Sequence, residues 1–208
     1  MKKIIALVII LGLSAPAFAA TLDVNATAAM SGTNYGLEVV FDGPGNAYVR
    51  DDTPDNETIY RCQFWFDPGT WNGNDAGDFF VISRATWEDQ FLAAFQVMMV
   101  KKLGLWRLWV RSMNNTGLPR YTNRINLSPG NPSLLQVEWI QGDTPGTLSG
   151  LVTLTIIDGY NAGQSVSVDL NNSSFDVDSV VLGALQPLPS QSGSIYIDEF
   201  ASFRTLAP

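Results

Sequence analysis

Apolar and polar residues alternate along most of this chain, and this alternation restricts its fold more than any other feature. In the segment YRCQFWFD, the side chains of Tyr60, Cys62, Phe64 and Phe66 fall on one face of an extended strand, and the intervening residues fall on the other. Similar runs recur along the chain, separated by segments rich in Gly, Pro, Asn and Asp that favour tight turns. Strands with one apolar face indicate antiparallel sheets packed face to face. We therefore expect an all-β fold, a two-sheet antiparallel sandwich of the jelly-roll type.

The amino-terminal segment has the pattern of an export signal. A pair of lysines precedes an apolar run over residues 4–13, and Ala17 and Ala19 occupy the small-residue positions of a signal peptidase site. The apolar run is too short to span a bilayer, which takes about 20 residues. We expect residues 1–19 to be a signal peptide and residues 20–208 to form a single domain. The protein is then secreted by a bacterium, to the periplasm or to the extracellular space.

The charge of the chain argues against some partners and favours others. Acidic residues outnumber basic ones by 20 to 12, and loss of the two leader lysines takes the net charge from −8 to −10. This surplus argues against nucleic acid or an anionic membrane as a partner. Six cations nevertheless follow one another without an intervening acid: Lys101, Lys102, Arg107, Arg111, Arg120 and Arg124. Either they balance acidic loops elsewhere, or they form a platform for an acidic ligand.

Five segments carry a resemblance to a known superfamily. They are the aromatic strand YRCQFWFDP, the hairpin FQVMMVKKLGLWRLWVRS, the strands LLQVEWI and LVTLTIIDG, and the closing strand IYIDEFASFR. In this order they resemble the concanavalin A-like lectin and glucanase superfamily, in particular bacterial laminin G-like jelly rolls, over residues 33–204. The resemblance implies a glycan-binding or adhesive module, a polysaccharide-cleaving enzyme (a glycoside hydrolase or a lyase), or a structural surface protein.

The catalytic residues of the superfamily's enzymes are matched only in part. The polysaccharide lyases of this superfamily carry Arg, Gln, His and Tyr motifs on a concave sheet. Arg84 and Gln96 are only faint echoes of two of these motifs, and the chain has no histidine. The adjacent carboxylates Asp198 and Glu199 point to opposite faces of a regular strand, so they cannot flank one glycosidic bond. We therefore expect no catalytic residues and a secreted, non-catalytic carbohydrate-binding or adhesive module.

Arginine and tryptophan alternate on two of the expected strands. Arg107, Trp109 and Arg111 share one face of LWRLWVRSM, and Arg61 and Trp65 share one face of YRCQFWFD. If both strands belong to one sheet, they present indole rings, on which sugars stack, beside guanidinium groups, which bind carboxylate or sulfate. This pattern predicts a face that binds an acidic polysaccharide. The alternative is that arginine packs on tryptophan through cation–π contacts without a ligand.

One loop has the oxygen-rich composition of a calcium site. The segment DPGTWNGNDAGD contains five side chains that could supply oxygen ligands: Asp67, Asn72, Asn74, Asp75 and Asp78. Hard oxygen donors in a flexible loop suit Ca²⁺. Calcium is therefore the one cofactor that the sequence suggests, and an ordinary turn-rich loop is the alternative.

Overall fold

The computed structural model describes residues 20–73, 76–87 and 93–205. Within these residues the chain forms strands, turns and loops and contains no helix, so none is present there that could cross a membrane. The predicted signal peptide lies outside the described residues. In chain order the strands are β1 (Thr21–Asn25), β2 (Gly36–Phe41), β3 (Ala47–Asp51), β4 (Ile59–Asp67), β5 (Ala76–Thr86), β6 (Ala93–Lys102), β7 (Leu105–Met113), β8 (Pro119–Tyr121), β9 (Ile125–Leu127), β10 (Ser133–Ile140), β11 (Gly150–Gly159), β12 (Ser165–Leu170), β13 (Ser179–Leu185) and β14 (Gly193–Phe203).

These strands form two sheets, here called sheet A and sheet B. Sheet A has the strand order β1-β2-β14-β4-β10-β11-β12, sheet B has the order β3-β13-β5-β6-β7-β8, and β9 pairs with β7. Every one of these neighbouring pairs is antiparallel. The predicted all-β, two-sheet jelly-roll sandwich is confirmed.

The core lies between the sheets and is built from the apolar faces that the alternation predicts. Tyr60, Cys62 and Phe64 of β4 have no exposed surface, and the ring of Tyr60 lies 6.2 Å, centroid to centroid, from that of Phe95 in sheet B. Burial of each large apolar side chain stabilises such a core by about 1.5–3 kcal/mol. The thiol of Cys62 is buried with them, which raises its pKa to about 12.

A two-residue turn joins β6 to β7 and sets their register. Leu103 and Gly104 both have positive φ, 55° and 74°, as a type I′ hairpin turn requires. Lys102 and Leu105 pair on either side of this turn, and the pairing continues along both strands without a shift. The side chains of the two strands therefore alternate in step between the core and the outer face of sheet B.

Strand β14 contains a bulge that departs from the regular alternation expected near its end. The register of β14 against β4 shifts between Asp198 and Ala201, which leaves Glu199 and Phe200 opposite a single residue of β4. Glu199 has a φ of 50°, and Phe200 packs against the core. The bulge thus turns inward a side chain that a regular strand would point to the same face as Asp198.

Candidate functional site

The predicted glycan face is not continuous, because its two strands belong to different sheets. Strand β4, with Arg61 and Trp65, lies in sheet A, whereas β7, with Arg107, Trp109 and Arg111, lies in sheet B. On both strands these residues alternate with buried core residues. They therefore lie on outer faces that point away from each other, and the condition for one shared surface, that both strands belong to one sheet, is not met.

On the outer face of sheet A, Arg61 has the packing role that the alternative interpretation describes. Its Cζ lies 4.2 Å from the ring centroid of Phe203. Trp65 is half-buried and pairs with Leu134 on one side and with Asp198 on the other. A ligand role for Arg61 and Trp65 stays a prediction, separate from anything on sheet B.

On the outer face of sheet B, Trp109 is buried rather than exposed. Only 7% of its surface is accessible, and it belongs to an apolar cluster with Val81, Met98, Val100, Val181 and Leu185. The Cζ of Arg124 lies 4.9 Å from the centroid of the Trp109 ring. A sugar stacks on an accessible ring face, so the surroundings of Trp109 favour structural packing over the stacking predicted for it.

Four polar residues lie side by side across the same outer face, and we call them the arginine row. Strand pairing aligns β5 with β6, β6 with β7, and β7 with β8 so that the row reads Arg84, Gln96, Arg111, Tyr121. Residues paired in this way across antiparallel strands point to the same face. The chain neighbours of Gln96, Phe95 and Val97, belong to the core. The row therefore points away from the core.

The row is packed closely, and its central amide is almost covered. Gln96 is 7% exposed. The Nη1 of Arg111 donates a long hydrogen bond of 3.5 Å to Oε1 of Gln96, and its Nη2 lies 3.8 Å from Sδ of Met113. The Nε of Arg111 is buried and has no hydrogen-bond partner in the described part of the chain. The guanidinium of Arg111 thus makes only weak contacts within the described part of the chain.

The positive charges of the two arginines in the row repel each other. Burial lowers the pKa of Arg84, and the positive charge of Arg111 lowers it further. The two residues lie two strands apart, which corresponds to roughly 10 Å between their backbones. A carboxylate between them would reduce the repulsion and could accept hydrogen bonds from both guanidinium groups.

Sequence reasoning found the members of the row only in part. It predicted Arg111 as a ligand-binding residue and reached Arg84 and Gln96 through a resemblance alone, and it missed Tyr121. The short hairpin turn between β6 and β7 is a signal that could have placed Gln96 opposite Arg111. No comparable signal fixes Tyr121, which ends a strand of three residues.

The first of the predicted calcium ligands has a structural role in the loop. Asp67 is 7% exposed. Its Oδ1 accepts hydrogen bonds from the backbone N–H groups of Gly69, at 2.7 Å, and Gly130, at 2.9 Å. Asp67 therefore joins the end of β4 to the loop before β10.

The other described members of the predicted calcium site also have protein partners. Oδ1 of Asn72 accepts a hydrogen bond of 2.7 Å from Nζ of Lys101, and Oδ2 of Asp78 accepts one of 2.6 Å from Oγ of Ser190. Among the described residues, no group of three or more His, Cys, Asp or Glu side chains could hold a metal ion. The calcium site stays a prediction, and two of its members lie outside the described residues: Asn74 and Asp75.

Comparison with solved structures places this architecture among known folds. No protein-family model and no curated protein sequence matches the chain. An alginate lyase from Alteromonas sp. 272 superposes with a TM-score of 0.52 at 12% identity, over 88% of this chain and 93% of that chain. An alginate lyase from Pseudomonas aeruginosa gives a TM-score of 0.54 at 11% identity, over 81% and 82% of the two chains. A cellulose-induced protein, Cip1, gives 0.52 at 12% identity, over 90% and 87%.

These similarities concern the fold, since identities near one residue in ten do not carry function. The structures share the fold of a two-sheet sandwich with this chain, and the resemblance to the concanavalin A-like superfamily stays a prediction. The narrower resemblance to laminin G-like domains stays a prediction.

Proposed function

We propose that the arginine row binds carboxylate groups of an acidic polysaccharide and that the protein is a secreted, non-catalytic binding module. The observation that carries this proposal is the register that places Arg84 and Arg111 on either side of Gln96. A guanidinium group matches the geometry of a carboxylate and pairs with it through two hydrogen bonds. The alginate lyases of similar fold support a polysaccharide as the ligand.

A polymer fits this face better than a single sugar. Arg107 lies on the same strand as Arg111, four residues earlier and on the same face, which corresponds to about 14 Å along the strand. Trp109 lies between these two arginines in β7, and the guanidinium of Arg124 lies over its ring. A ligand with several regularly spaced acid groups can contact more than one of these cations at once.

The chemistry of the row favours binding over cleavage. Elimination needs a base near the sugar carbon, and hydrolysis commonly needs two carboxyl groups. The chain has no histidine to act as a base. Met98, which shares a face with Gln96, belongs to the buried apolar cluster and supplies no base either. The row itself contains two cations, an amide and a phenol, and no carboxylate.

One observation favours a second candidate function, cleavage by elimination. Tyr121 is 52% exposed and pairs directly with Arg111. A phenol beside a guanidinium group can act as a general base. A lyase that uses Tyr121 is therefore the alternative to a pure binding module.

The test compares two arginine variants with the same loss of charge. Isothermal titration with a polyuronate and with a neutral glucan of similar length measures the affinities of the mature protein. Arg84→Gln should weaken polyuronate binding about tenfold or more, because a hydrogen bond to a charged group contributes about 1.5–3 kcal/mol. Arg120→Gln is the matched control, since Arg120 is exposed on β8 and pairs with the buried Ser112, away from the face of Tyr121.

Equal weakening by both substitutions would show that overall charge, not the arginine row, causes binding. A second assay separates the two candidate functions. It follows the ultraviolet absorbance of the carbon–carbon double bond that elimination would form when the protein is mixed with polyuronate. A steady increase that Tyr121→Phe abolishes would establish the lyase.

A further inference from the structure

A cavity of about 320 Å³ opens at the edge of the sandwich, on the core side of the sheets rather than on the face of the arginine row. One wall is a row of paired residues in sheet A: Val24, Leu37 and Ile197. The opposite wall is the pair Val49 and Leu182 in sheet B. The cavity is therefore a part of the space between the sheets that the edge strands β1 and β3 do not close.

Apolar side chains at the mouth of this cavity are exposed. Val24 is 68% exposed and Val49 is 47% exposed, although both belong to the two walls. Tyr35, which also lines the cavity, is 64% exposed. Exposed apolar side chains that surround a cavity indicate a binding site.

The rim of the cavity carries negative charge. Asp198 and Glu199 line it, and no Lys or Arg is among the ten lining residues. Asp198 is committed to structure: its Oδ2 accepts hydrogen bonds from the backbone N–H of Met30, at 2.7 Å, and from the hydroxyl of Thr33, and its Oδ1 accepts one of 2.8 Å from the N–H of Glu199. Asp198 thus ties the loop before β2 to the rim.

Glu199 is the carboxylate of the rim that faces solvent. It is exposed and stands on the bulge of β14 with a φ of 50°, a conformation that is uncommon for any residue other than glycine. Bulges and strained residues of this kind are enriched where a side chain is aimed at a ligand. The bulge also turns Phe200 inward, where it completes the apolar lining.

We propose that this cavity binds an amphiphilic amine, whose aliphatic or aromatic body lies between the sheets and whose ammonium group pairs with Glu199. An apolar body matches the two walls, and the cationic head matches the charge of the rim. An anionic amphiphile would instead meet a like charge at the mouth. The proposal is independent of the arginine row, which lies on the outer face of sheet B.

The test uses octylamine and octanol, which share a chain and differ in charge, both below the concentration at which the amine forms micelles. Titration calorimetry gives the affinities, and nuclear magnetic resonance of the Val24 methyl groups and the Tyr35 ring locates the ligand. Octylamine should bind more tightly than octanol. Shortening the amine by one methylene should weaken binding about fourfold, the effect of one buried CH₂.

Variants of the rim separate the charge from the cavity. Glu199→Gln should weaken octylamine about tenfold, as expected for a hydrogen bond to a charged group, and leave octanol unchanged. Asp169→Asn is the matched control, because Asp169 is exposed on β12, at the other edge of sheet A. It should change neither affinity.

Val49→Trp fills the mouth and should abolish binding of both probes. Should that variant not fold, Val24→Lys gives a second test for the amine alone: Val24 is 68% exposed, and the new ammonium group should weaken octylamine binding more than octanol binding. Absence of saturable octylamine binding, equal affinity for amine and alcohol, or full octylamine affinity in Glu199→Gln would each overturn the proposal. So would unchanged binding in the variant that blocks the mouth.

Discussion

Replacement of Arg111 by methionine should separate the effect of the arginine row on protein stability from its effect on ligand binding. Arg84 and Arg111 flank Gln96 on neighbouring strands, and burial and the charge of Arg111 both lower the pKa of Arg84. The charge of Arg111 therefore makes the protonated guanidinium of Arg84 less favourable in the folded state. We therefore expect Arg111→Met to keep or increase the stability of the protein while it loses affinity for an acidic polysaccharide.

The magnitude follows from the sheet geometry. Two strand spacings separate the arginines by roughly 10 Å, and two unit charges at that distance repel by about 1.7 kcal/mol at an effective dielectric constant of about 20. Screening over about 8 Å at physiological ionic strength reduces this to about 0.5 kcal/mol. The substitution also removes the contacts at 3.5 Å and 3.8 Å that Arg111 makes, which are at the limit of hydrogen-bond geometry and contribute about 0.5 kcal/mol.

Salt reduces the charge repulsion but not the loss of the two contacts, so the net effect of Arg111→Met on stability depends on salt. We expect a gain of about 1 kcal/mol at low salt, or about 2–4 °C in melting temperature, and no change at physiological salt. Urea denaturation at both salt concentrations measures the stability, with Arg120→Met as the control for the loss of one charge. A loss of more than about 1 kcal/mol at both salt concentrations would refute the reasoning, because it would make Arg111 a structural support.

Three further predictions concern the core and the loops. Trp109→Ala should cost about 3–5 kcal/mol in urea denaturation, since Trp109 is 7% exposed; unchanged stability with lost glycan binding would restore its predicted stacking role. Burial raises the pKa of the Cys62 thiol from 9.0 to about 12, so its contribution to stability is complete below about pH 9 and declines towards pH 12 by about 1.4 kcal/mol per pH unit. Cys62→Ala should flatten that decline in urea midpoints, and an unchanged slope would contradict it. Calcium at a hundredfold excess over its Kd would stabilise the predicted loop site by about 2.7 kcal/mol, and identical melting curves with calcium and with chelator would exclude the site.

The strands and the core could be predicted from the sequence because both depend on local periodicity. The alternation around Tyr60, Cys62 and Phe64 places these side chains on one face, and all of them are buried in the core. The same periodicity does not say which sheet a strand joins. Strands β4 and β7 have similar patterns of arginine and tryptophan, but β4 pairs with β10 and β14, which are distant in sequence, whereas β7 pairs with the adjacent β6.

The arginine row depends on register, which alternation specifies only in part. The pairing of β5 with β6 contains three register shifts, so the position of Arg84 opposite Gln96 does not follow from counting residues. The bulge at Glu199 is a similar case, because one additional residue in β14 changes the direction of the side chains that follow. Long-range pairing determines both features, and a single sequence does not reveal it.

The turn at Leu103 and Gly104 restricts where this chain can tolerate insertions. Because side chains alternate with a period of two, adding or deleting one residue there would turn Arg111 towards the core. If Leu108 and Val110 kept their buried positions instead, β7 would slide along β6 and separate Arg111 from Gln96. A one-residue length change in this turn therefore breaks the alignment of an amide and a guanidinium group that each lie seven residues away from it in the chain.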